Sequence, residues 1–216
     1  MKLILCILKR EIDISDSDKA MLFRNIIFFT ILLWLSKICI SETQKLLNIV
    51  ALNVVIITLF TFDSFLYKEK EAGLFNLYQI AKVPIVIILY CKTLSYWGKF
   101  ILPVVFLGNL IFWLSLDIEV NHFLNSLLII LIMTYNFAII NLIINVLIIT
   151  VERKGPITSI IAFPLYLPTI IFGVIALDRL SSDFQTNFEG TLIISYTLFI
   201  TFTSPIISAS ILKKIN

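Results

Sequence analysis

The sequence predicts an all-α integral membrane protein of six transmembrane helices, with an amphipathic helix on the cytoplasmic side between the second and third spans. Three observations carry that prediction. The chain of 216 residues is 59% hydrophobic and only 14% charged, with a mean hydropathy of +1.01, a composition that soluble domains do not reach. Its apolar residues fall into runs near the ~20 residues of helix that cross a bilayer. The loops between these runs are too short to fold separately, so residues 1–216 form one membrane domain.

Residues 1–20 carry Lys2, Lys9, Arg10 and Lys19 against Glu11, Asp13, Asp16 and Asp18, a solvated lead-in suited to the membrane surface. They lack a small-residue cleavage pattern, so no removable leader is expected. The first two spans, 21–40 and 46–66, are joined by residues 41–45 alone and form a helical hairpin. Lys37 lies near its helix end and can snorkel outward. The remaining spans are placed at 100–116, 123–150, 157–177 and 191–212; the fourth is the longest and should tilt.

Orientation follows from the positive charges, because cytoplasmic loops are enriched in Lys and Arg. With both termini cytoplasmic, only Lys37, Lys45 and Arg179 of the 17 Lys and Arg residues fall outside. The opposite orientation would invert the bias.

Residues 67–99 are the stretch that lipid does not explain. A charged cluster, Lys68, Glu69, Lys70 and Glu71, leads to a turn at Gly73. Leu74, Leu77, Tyr78 and Ala81 then fall at i, i+3, i+4 and i+7 and share one helix face. Pro84 ends or bends that helix. The apolar run 85–91 is too short to span, and Lys92 and Lys99 bracket a polar stretch beyond it. The whole element is expected to be a helix that lies along the cytoplasmic membrane surface, climbs into the next span and suits docking of a soluble partner.

Within the spans, Thr134, Ala138, Asn141 and Asn145 share a face of the fourth. Helix-to-helix hydrogen bonding, worth about 0.6–2 kcal/mol per bond, is preferred over a substrate path as its purpose. Pro164 and Pro168 in the fifth span each remove a backbone donor, so a kink, static or gating, is expected. Asp63, near the end of the second span, needs a partner or an interfacial position. The single histidine, His122, makes a poor metal or haem ligand by itself. Cys6, Cys39 and Cys91 show no CxxC spacing or pairing pattern. No GxxxxGK[ST], Gly-x-Ser-x-Gly or HExxH pattern occurs, and the spans hold no acidic cluster. An intramembrane enzyme and a proton-coupled carrier are therefore disfavoured.

With these residues in view, the chain resembles the CcmB family, the haem-exporter permease subunits of cytochrome c maturation. The resemblance rests on Asp63, on Glu69-x-x-x-Gly73 followed by Lys92 and Trp97, on Gly155 to Gly173 with Pro164 and Pro168, and on Ser204, Pro205, Ala209 and Lys213. Ser64, Lys68 and Pro156 depart from the family's usual residues. The resemblance implies an ABC-2-type permease in the bacterial inner membrane. It also implies a separate CcmA-like ATPase, CcmC-like and CcmD-like membrane subunits, a haem chaperone contacted indirectly, and two copies in the complex. Haem would be cargo of the complex, with no cofactor, metal or nucleic acid bound by this chain. Docking of the ATPase is expected at Asp63, Glu69, Glu71, Gly73, Leu74, Leu77 and Tyr78, and helix packing or gating at Asn141, Asn145, Pro164 and Pro168. A membrane scaffold that only assembles a complex is the competing reading.

Overall fold

The computed structural model describes residues 16–39, 43–62, 66, 84–114, 120–151, 157–178 and 188–213. They form α1 (Asp16–Cys39), α2 (Thr43–Phe62), α3 (Ile85–Tyr96), a π-helical turn (Trp97–Ile101), α4 (Leu102–Leu114), α5 (Val120–Val151), α6 (Ile157–Asp178) and α7 (Phe188–Lys213). No strand occurs among the described residues. Five stretches are long and apolar enough to cross a membrane: Asp18–Cys39, Ile85–Ile111, Phe123–Ile149, Ile160–Asp178 and Gly190–Leu212. The apolar part of α2, Asn48–Phe62, is shorter. The chain is thus an all-helical, multi-pass membrane protein.

The bundle is organised on α5, which packs against α2, α3, α6 and α7 and is the most buried of the long helices. Its 32 residues include Met133, Phe137, Ile139, Leu142 and Ile144, all buried. A helix that is apolar around its whole circumference suits such a central position. The outer helices turn one apolar side to lipid instead: Ile31, Trp34, Leu35 and Ile38 on α1, Phe163, Leu167 and Ile171 on α6, and Phe199, Phe202 and Ile206 on α7 are exposed. α1 sits at the edge, packed mainly on α2 and α4. There a Cβ at Gly108 would collide with the buried ring of Phe29, so glycine sets the approach of α4 to α1.

The hairpin of α1 and α2 forms as expected. Asn53 Nδ2 donates to Ser36 Oγ at 2.9 Å, Asn25 Nδ2 donates to Thr61 Oγ1 at 3.1 Å, and Phe28 meets Phe60 edge to face. Asn48 Nδ2 donates to Asp178 at 2.7 Å, tying the start of α2 to the end of α6.

The third span departs from the sequence-based expectation. Its helix does not start near residue 100. It begins at Ile85, with Pro84 as the extended residue before it and the Pro84 carbonyl accepting from Ile87 and Ile88 at 3.1 and 3.4 Å. Residues 85–99, read as part of a surface element, continue the membrane helix, and Lys92 is only 1% exposed. The polar residues that suggested a surface location are satisfied inside the bundle. Thr93 Oγ1 and Ser95 Oγ donate to the carbonyls of Leu89 and Cys91 at 2.9 and 2.8 Å, and Lys99 Nζ donates to Asp18 at 2.7 Å. Pro103 explains the π turn that joins α3 to α4. It has no N–H for the Lys99 carbonyl, and the Leu102 N–H reaches back five residues to the Trp97 carbonyl.

Candidate functional site

Two groups of polar side chains hold the bundle at points where movement of one helix must be felt by its neighbours. The first surrounds α5. Asn141 Nδ2 donates to the Tyr166 hydroxyl of α6 in a short hydrogen bond, and the two residues are 1% and 0% exposed. One turn on, Asn145 Nδ2 donates to the Phe62 carbonyl at 3.1 Å and to the Asn141 carbonyl at 3.0 Å. Phe62 closes the described part of α2, and Asn145 supplies its carbonyl with a donor from another helix. Thr134 accepts from Trp97 Nε1 at 3.2 Å. On the flank of α5 nearer α7, the Tyr135 hydroxyl accepts from Thr201 Oγ1 at 3.2 Å and lies 3.1 Å from the Tyr90 hydroxyl, and Ser204 Oγ donates to the Ile139 carbonyl at 2.9 Å. Apart from the Asn145 bond to the Asn141 carbonyl within α5, each of these contacts links two helices.

The second group lies where α1, α2 and the π turn meet. Tyr96 donates to the Thr61 carbonyl at 2.9 Å and stacks between Phe62 and Phe100 at ring centroid distances of 5.1 and 4.5 Å. The Tyr96 hydroxyl also lies 3.8 Å from Met21 Sδ, and the Lys99 pair with Asp18 completes the tie to α1. Side-chain exposures of 9% for Lys99 and 27% for Asp18 leave this ion pair partly sheltered from water. Beyond Phe62, Leu66 is fully buried and clusters with Leu89, Leu142, Val146, Ile149 and Leu212. The chain on either side of residues 67–83 is thereby anchored to α3, α5 and α7.

Of the sequence-predicted docking residues, Asp63, Glu69, Glu71, Gly73, Leu74, Leu77 and Tyr78 all lie outside the described residues. Pro164 and Pro168 both lie within the uninterrupted helix α6, Pro164 exposed and Pro168 half-buried, on either side of Tyr166. Sequence reasoning did not pick out Tyr96, Lys99, Tyr135 or Tyr166. Helical spacing assigns a residue to a face but does not say which helix that face meets, so their partners had no sequence signal. Among the described residues no group of three or more His, Cys, Asp and Glu side chains could hold a metal.

The fold and these ties define a class: a polytopic helical membrane subunit in which peripheral helices are hydrogen-bonded to one central helix. Residues 2–213 match the family model described as CcmB protein, and the chain belongs to the CcmB family. It is therefore a membrane permease subunit, of a generally non-catalytic family, in the ABC-type haem-exporter system of cytochrome c maturation. No individual curated protein matches the chain.

Proposed function

We propose that this chain is the transmembrane subunit that turns ATP hydrolysis by a separate CcmA-like subunit into movement of the α5-centred bundle. The observation that carries the reading is the anchoring of both ends of residues 67–83. Phe62 and Leu66 before this segment, and Leu89 and Tyr96 after it, are packed or bonded to α3, α5 or α2, and Lys99 is paired with α1. A force reaching Phe62, Leu66, Leu89, Tyr96 and Lys99 would be passed to α1, α2, α3 and α5. The subunit acts with CcmC-like and CcmD-like partners, in two copies, in the bacterial inner membrane with both termini cytoplasmic. Its movement serves haem export or the release of a haem-loaded periplasmic chaperone. The short outer loops and single histidine favour the second, with haem held by a partner.

Reconstitution in detergent with and without the ATPase tests the reading. The chain is expected to change ATP turnover by the partner. Binding without any change in turnover would instead identify a scaffold, and activity from the chain alone would identify an enzyme. Orientation has its own test: a reporter active only in the periplasm should give signal when fused after Glu119 and none after Gly73. Signal at Gly73 would reverse every cytoplasmic assignment.

A further inference from the structure

We propose that Asn136 and Thr169 form a hydrated site inside the membrane part of the bundle, holding water at the seam of α5, α6 and α7. Both residues are 0% exposed; neither end of the Asn136 amide has a protein hydrogen-bond partner, and the group within reach of Thr169 Oγ1 is the Tyr196 hydroxyl. Other polar residues across the bundle differ. Thr58, Thr93, Thr197 and Thr201 each donate to the carbonyl four residues back, at 2.6 to 2.9 Å, whereas Thr169 does not. Asn109 and Asn145 also donate to such carbonyls, whereas Asn136 leaves both ends of its amide unused.

The helix register places the two residues at one level. α5 and α6 run antiparallel, with the Met133 side chain lying where a Cβ of Gly173 would be, and with Phe137 and Asn141 on Tyr166. Thr169 is three residues after Tyr166 and four before Gly173, so it shares their face of α6. Asn136 is three residues after Met133 and four before Ile140, on the side of α5 between α6 and α7. α7 closes that side through Tyr196, which meets Phe172 of α6 at 5.5 Å and lies beside Thr169, and through the Ser204 bond to the Ile139 carbonyl.

Left dry, each such buried group would carry its full desolvation cost, and lipid offers it nothing in return. An amide and a hydroxyl at one level of the bundle are the polar partners that a buried water needs, since such a water typically makes about three hydrogen bonds. Pro168 adds a further acceptor in the same helix, because it has no N–H for the Pro164 carbonyl. Water at this level supplies exchangeable hydrogen bonds, which let a proline-containing helix change its bend without stranding polar groups.

Met133, fully buried and one turn from Asn136, is a built-in reporter. X-ray radiolysis of the full chain in detergent generates hydroxyl radicals from bound water in place. Met133 should be oxidised despite its burial, and several-fold less in the double variant Asn136→Leu/Thr169→Val. Neither single substitution should raise the melting temperature, and their effects should be non-additive because they act on shared water. Protection of Met133 in the unmodified protein, or a rise in melting temperature with both substitutions, would show a dry seam and overturn the proposal. The labelling of the unmodified protein decides the matter even if a variant fails to fold.

Discussion

Gly73→Val and Tyr78→Asp are each expected to leave the protein inserted in the membrane, to weaken copurification of the partner ATPase and to abolish maturation of c-type cytochromes. Insertion depends on the hydropathy of the long helices, and neither substitution touches one of them. A permease that uses ATP hydrolysed elsewhere needs an element that contacts both the partner and its own spans. Residues 67–83 are placed for that in the chain, because they connect the end of α2 to the start of α3. On the reading of these residues as an amphipathic docking helix, their sequence offers an apolar face of Leu74, Leu77 and Tyr78, charges at Glu69 and Glu71, and a glycine at the expected turn. An aspartate on that face would put a carboxylate into an apolar contact, and valine at Gly73 would stiffen the turn. If both variants retain the ATPase and support maturation, the segment is a membrane-surface anchor and the docking assignment fails.

Replacing Asn141 and Asn145 together with leucine should lower the stability of the purified protein while leaving insertion intact. Asn141→Leu removes one hydrogen bond of the fully buried Tyr166 hydroxyl, and Asn145→Leu removes the bond from α5 to the Phe62 carbonyl of α2. The expected loss is about 0.6–2 kcal/mol at each site, the range of one interhelical hydrogen bond, and less where the helices relax. Thermal unfolding in detergent reads this directly. The structure also changes what the experiment concerns. Both asparagines bond within one chain, so the loss should appear in the fold of each subunit and not first in the association of two copies. Unchanged melting combined with lost cytochrome c maturation would mean that the face serves transport or gating.

The sequence by itself determined the membrane class, the positions of most of the long helices and the exceptional length of α5. Hydropathy is a local sum, so it locates a span such as Phe123–Ile149 from that span's own residues. It fails where polar residues are satisfied by parts of the chain distant in sequence. The stretch from Lys92 to Lys99 looked like a surface segment because Asp18, Thr61 and Thr134, which partner Lys99, Tyr96 and Trp97, lie 35 to 81 residues away. Only the tertiary structure decided that this stretch is buried helix, that α5 is the centre and that the Asn145 amide serves the end of α2. A polar side chain ends a membrane span when water is its best partner and continues the span when another helix is, and that choice is made by packing.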